Sequence, residues 1–316
     1  MNAATETSES FEAPATAPRP VRPFYWSVRR ELWENRSLWI APAVAGGVAI
    51  IALILNAMHL QEGLQALSVL NPEKQRMFVS GIYGGIAFLI TMVMNITVFF
   101  YLLDALQGER KDRSVLFWKS LPVSDTTAVL GKVFTALAVS GVIVIAVTLA
   151  TQLLVLLIAT VLLMIGGVSP GPLWSNVDAF QLTVALIYAQ IALALWYAPV
   201  AGWLLLVSAW AKRVTILWAV LTPIAIMLFE RVAIGTHYVS DLLAYRLREG
   251  AMTAFVRRSR DADVVIGGVN SIAPREIFDA LNPVGFFTNP WLWVGLVVAA
   301  GFIAAAIWMR RYREPI

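Results

Sequence analysis

Side chains able to do chemistry are sparse in this chain, and many of them gather in one stretch, residues 104–132, DALQGERKDRSVLFWKSLPVSDTTAVLGK. It sets Arg110, Lys111, Arg113, Lys119 and Lys132 against Asp104, Glu109, Asp112 and Asp125. The cluster Glu109, Arg110, Lys111, Asp112 and Arg113 opens it, and a short apolar run follows: Val115, Leu116, Phe117 and Trp118. That run is far too short to cross ~30 Å of hydrocarbon. A short amphipathic helix at a membrane surface fits it better. Pro122, after Leu121, breaks this helix, and Ser124 is placed to cap the next one, with Thr127 three residues on. Apolar side chains set beside charges suit docking onto another protein, where a buried Trp often dominates the contact energy.

Other chemistry is missing from the sequence. Gly131-Lys132 lacks the upstream glycine of a phosphate-binding loop and runs straight into apolar residues. No G-x-S-x-G, H-E-x-x-H or paired-carboxylate pattern stands out. With no Cys and two His (His59 and His237), thiolate and His-rich metal sites are not expected. The chain is therefore expected to bind no cofactor, ATP included. Two further features suggest a path or a gate. Glu230-Arg231 is a charge pair near membrane depth, where such groups are costly and often functional. Asn95, like Asn56, Gln152 and Gln190, is a lone polar residue in an apolar run, where hydrogen bonding between helices is the commoner role.

The elements that must position these residues are apolar. Hydrophobic residues make up 59% of the chain and charged residues 14%, against about 25% charged in soluble domains. Such a chain cannot cover a soluble surface, and lipid is its expected surroundings. Charge-free windows place six spans, at about 38–58, 82–103, 133–165, 180–210, 214–234 and 291–309. The third window is long enough for a hairpin of two helices. Yet residues 142–165 carry no turn signal, and the stop comes only at Gly166-Gly167 and Pro170. One long third span is expected, and a bend in the fourth at Pro199 and Gly202. The fold class is thus an all-α integral membrane protein of six transmembrane helices.

Residues 1–23 are rich in Ala, Thr, Glu and Pro and read as a disordered tail, without the basic start and apolar centre of a signal peptide. Residues 24–316 form the membrane domain. It opens with FYWSVRRELWENRS at 24–37, an interfacial helix with Trp26, Arg30 and Trp33 on one side and Arg29 and Arg36 on another. The loop at 235–290 is the largest outer feature, with an amphipathic helix expected over 239–255 and a second after Pro274. Packing is its expected role, ahead of substrate gating. Six spans leave both termini on one side, and 15 of the 24 Lys and Arg then fall on the inner segments. The positive-inside rule supports that orientation. Seven spans would place the C-terminal Arg310, Arg311 and Arg313 outside.

The stretch E-R-K-D-R-S-V-L-F-W-K-S-L-P-V-S, with G-K eight residues later, resembles the first cytoplasmic loop of type-2 ABC exporter permeases. Glu109, Leu121, Pro122, Val123, Ser124, Gly131 and Lys132 carry the resemblance; Arg113 departs from it, since many members have a small residue there. The resemblance implies a surface helix before span one and a coupling helix on the 104–132 loop that docks into a groove on a separate ATPase subunit. It implies ATPase-coupling roles for residues 109–113, 115–118, 121 and 122. The expected partners are an ABC ATPase subunit, a second permease subunit and membrane lipid, not nucleic acid. The expected setting is the bacterial inner membrane, with both termini cytoplasmic. The rival class is a non-transporting membrane protein: a scaffold, an assembly or signalling protein, or a membrane enzyme. A co-purifying ATPase discriminates between the two.

Overall fold

A computed structural model of the chain describes residues 22–56, 72–111, 124–255, 278 and 281–312. Among these residues every regular element is helical. Six helices are long and apolar enough to cross a membrane. Helix α1 (Pro23–Glu34) precedes span one, α2 (Ser37–Leu55). Span two is α3 (Pro72–Asp104), which begins well before the expected residue 82, and α4 (Gln107–Lys111) follows it across a short turn. Span three is one continuous helical rod, as expected: α5 (Asp125–Phe134), a π turn (Thr135–Val139) and α6 (Ser140–Ile165). It ends at Gly166-Gly167, where Gly167 takes a φ of 71° that a side chain rarely adopts. After α7 (Gly171–Ser175) comes span four, α8 (Ala179–Trp210), helical throughout Pro199 and Gly202.

Span five is α9 (Thr215–Phe229) with a π turn (Glu230–Ile234). The segment between spans five and six continues with α10 (Tyr238–Ala244), a π turn (Tyr245–Glu249) and a 3-10 turn (Gly250–Ala254). One amphipathic helix is expected over 239–255, and the α-helix stops at Ala244, with tighter and wider turns beyond it; the helix expected after Pro274 falls almost wholly outside the described residues. The chain then enters α11 (Pro283–Phe287) and span six, α12 (Pro290–Tyr312).

Spans one, two and three pack on one another, and span four packs most extensively on span six. Their shared core holds Leu38, Ile90, Met94, Leu102, Val129, Val144 and Leu205. Lipid tails are as apolar as these side chains, so close packing and hydrogen bonds hold the helices together, not escape from water. Gly202 shows how: a Cβ there would lie 3.1 Å from the Ala299 carbonyl oxygen and 3.2 Å from the Phe302 Cβ. Gly46 meets the Thr151 hydroxyl in the same way on the other side of the bundle. Two of the lone polar residues bridge helices as well. Gln152 donates to the Tyr83 carbonyl at 3.1 Å, and Gln190 to the Thr91 hydroxyl at 3.1 Å. Asn56 bonds only the Ala52 carbonyl of its own helix.

The segment between spans five and six lies on the ends of spans four and six. Trp196, Ala254, Phe286 and Leu292 form a small buried core there. The Arg246 guanidinium lies 4.2 Å from the Trp196 ring centroid and donates to the Trp291 carbonyl at 2.9 Å. It lies over Gly295, where a Cβ would make the guanidinium shift. The described part of this segment packs on spans four and six.

Candidate functional site

Four elements converge on a buried set of charges at one end of the bundle. Lys132, in the last turn of α5, is 3% exposed, and its Nζ lies 2.8 Å from Glu31 Oε1 and 3.1 Å from Glu109 Oε1. Arg30 Nη2 donates to the same two oxygens, at 3.0 and 2.8 Å. Arg310 in span six donates to Glu109 Oε2 at 2.6 Å and, through Nε, to Asp125 Oδ1 at 3.1 Å. The Tyr101 hydroxyl donates to Glu31 Oε2 at 2.9 Å. Glu31, Glu109 and Asp125 thus face Arg30, Lys132 and Arg310, and the core of the network is formally neutral. Glu34 joins its rim through Arg30 at 3.4 Å.

Local sequence explains how these groups arrive. Ser124 accepts a hydrogen bond from the Thr127 amide at 3.1 Å, so the expected cap starts α5 and fixes the register of Asp125 and Lys132. Gly131 leaves room for Ser27: a Cβ at 131 would stand 3.3 Å from the Ser27 Cβ, so α1 lies close along α5. Arg30 and Glu31 follow one turn later and reach the network. Burial works against the Arg30 charge, but the carboxylates of Glu31, Glu34 and Glu109 outweigh it and push the pKa up. Burial pushes the Glu34 carboxyl up.

The expected coupling residues take different places. Glu109 is turned inward; its side chain is 9% exposed and engaged by three cations, so it is not a free docking contact. Arg110 is buried too. It donates to the Ser208 carbonyl at 2.6 Å and the Ala211 carbonyl at 2.8 Å, capping the last turn of span four. The Ser208 hydroxyl in turn accepts from the Leu106 and Gln107 amides at 2.9 and 3.0 Å. Lys111 is exposed. Asp112, Arg113, Val115, Leu116, Phe117, Trp118, Leu121 and Pro122 lie outside the described residues.

The candidate path residues are not brought together. Glu230 and Arg231 do not pair: Glu230 is buried and accepts from the Thr236 hydroxyl and the Val239 amide, both at 2.8 Å, while Arg231 is exposed. Asn95 is exposed on span two and makes no hydrogen bond among the described residues. Among the described residues no group of three or more His, Asp or Glu is placed to hold a metal ion.

The sequence reading missed Glu31 and Arg310 as site residues. One signal for them was present: Lys132 leads into a long charge-free run and needs a counter-ion. Which one depends on helices far apart in the chain. No family model matches the chain, and neither does any curated protein or solved structure.

Proposed function

We propose that this chain is the membrane subunit of a type-2 ABC exporter. In this reading two such subunits, with two ATPase subunits that bind the ATP, move a substrate across the bacterial inner membrane, and the chain itself is not an enzyme. One observation supports it best. Glu109 and Lys132 stand at the two ends of the stretch whose sequence resembles a coupling loop, and they pair at 3.1 Å in a network that also takes in α1 and span six. A loop pushed by an ATPase needs a stiff connection to the spans, and buried, mutually satisfied ion pairs supply one. Glu109 then transmits and does not dock; docking falls to the apolar residues Phe117 and Trp118. Binding of ATP closes the ATPase pair and favours one conformer of the spans, to the extent that the two conformers bind it differently.

Co-purification of an ATPase with the tagged full-length chain tests this. An ATPase should accompany the wild type, and Trp118→Ala should lower its recovery at least tenfold, since truncating such an anchor costs about 2 kcal/mol or more. Absence of any ATPase from the wild-type preparation overturns the reading in favour of a non-transporting membrane protein. Equal recovery with Trp118→Ala removes the docking role from that residue.

A further inference from the structure

Helix α1 has two unlike faces. The inner face packs on α5: Phe24 stacks edge-on with Phe134 at 5.4 Å, Ser27 sits against Gly131, and Glu31 enters the ion network. The outer face is built from residues 26, 29 and 33, flanked by 22 and 36. Trp26, Arg29 and Trp33, three and four apart, share one stripe of α1; Arg22 is its N-cap, and Arg36 lies beyond its end, past the non-helical Asn35. Their types alternate: Arg22, Trp26, Arg29, Trp33, Arg36. Trp26 is 52% exposed and Trp33 is 63% exposed. The Arg29 guanidinium lies 5.2 Å from one indole centroid and 4.5 Å from the other. Among the described residues none of these three arginines makes an ion pair or a side-chain hydrogen bond, and none is among those with further contacts. Arg30, by contrast, is spent on carboxylates. The sequence reading had grouped Arg30 with the two Trp; the structure puts Arg29 there.

We propose that this stripe binds the headgroup phosphates of anionic phospholipids, with Arg29 as the central ligand and Trp26 and Trp33 as interfacial anchors. Trp is at home at headgroup depth, where its body is in apolar surroundings and its N–H is wet. A guanidinium held against two indole faces is already ordered, and its N–H edge keeps the fork that matches a phosphate. From Trp26 to Trp33 the stripe runs about 10 Å along the helix. Only Asn35 and Arg36 separate α1 from Ser37, where span one begins, so the stripe lies next to a membrane entry point. It carries no acidic residue, so nothing in it repels an anionic surface. The site stands apart from the exporter reading and holds for any membrane protein built this way.

The test is native mass spectrometry of delipidated full-length protein in detergent, titrated with phosphatidylglycerol and phosphatidylcholine. Phosphatidylglycerol should bind the tighter of the two. Arg29→Gln should weaken its binding about fivefold, the equivalent of ~1 kcal/mol for one cation near an anionic surface. Phosphatidylcholine binding should not change. Arg36→Gln, read in parallel, should show the same direction, and Arg213→Gln, in the turn after span four, should leave the affinity at the wild-type value. Equal affinity for the two lipids overturns the proposal. So does an equal loss in Arg29→Gln and Arg213→Gln, or displacement of the bound lipid by inorganic phosphate at the same concentration. Binding of an acidic peptide to the stripe in preference to the lipid also overturns it.

Discussion

Lys132 stands directly after Gly131, with its ammonium between the carboxylates of Glu31 and Glu109. Removing one partner of a buried pair leaves an uncompensated charge, which costs about 3–5 kcal/mol. Lys132→Met is therefore expected to lower the thermal unfolding midpoint of the purified protein markedly, since two carboxylates then face each other with less cation between them. Glu31→Gln combined with Lys132→Met should recover part of the loss, because groups in one network do not act additively. Lys132 to Arg is not a neutral exchange either, since a planar fork cannot take the place of a compact ammonium. An unchanged midpoint in Lys132→Met would show that the network contributes nothing to stability. Glu109 raises the same question with a sharper functional edge, because its two oxygens join α1, span three and span six at one point.

At the scale of elements, the C-terminal end of span five shows how a charged residue can serve structure. The π turn Glu230–Ile234 and Gly235, at a φ of 74°, bring the Glu230 carboxylate back onto α10. There it accepts from the Thr236 hydroxyl and the Val239 amide, and so satisfies a free N–H in the first turn of that helix. A carboxylate at a helix N-terminus also meets the positive end of the helix dipole. Loss of such a cap costs about 1 kcal/mol. Glu230→Ala is expected to speed amide hydrogen exchange over α10 about fivefold while span five keeps its protection. Glu230→Gln keeps one acceptor and should do less. A residue on a transport path would behave differently: Glu230→Gln would cut export and leave the exchange of α10 alone.

For the whole molecule, the test is orientation. Reporters fused after Lys119, Gly171, Lys212, Ser259 and Arg313 should report inside, outside, inside, outside, inside. This follows from six helices long enough to cross and from the basic residues at one end of the bundle, Lys212, Arg213, Arg310 and Arg311 among them. An outside signal after Arg313 would defeat the six-span topology. The same scale sets what the exposed surface means. Span five buries little: Thr215 and Ala219 are its buried residues in α9, while Leu217, Val220, Leu221, Ile224 and Leu228 are exposed. On a soluble protein such a face would be a liability. In hydrocarbon it costs nothing, because lipid tails solvate it as well as another helix does.

The sequence alone determined the number, order and approximate limits of the spans, because lipid forces a spanning helix to be both long and free of charge. It also determined the single long third span, since no glycine, proline or asparagine interrupts 142–165, and the Ser124 cap, which depends on residues three apart. Short-range rules of this kind are written along the chain. The partners of the charges were not. Glu31 reaches Lys132 across 101 positions, and Glu109 reaches Arg310 across 201. The split of Glu230 from Arg231, and of Arg29 from Arg30, also came only with the tertiary structure. In each case one neighbour finds partners, Arg30 the carboxylates of Glu31 and Glu109 and Glu230 the Thr236 hydroxyl and the Val239 amide, and the other makes no ion pair among the described residues. Periodicity says which face a side chain shares; what that face meets depends on how helices from distant parts of the chain pack, and small residues such as Gly131 and Gly202 decide how close they come.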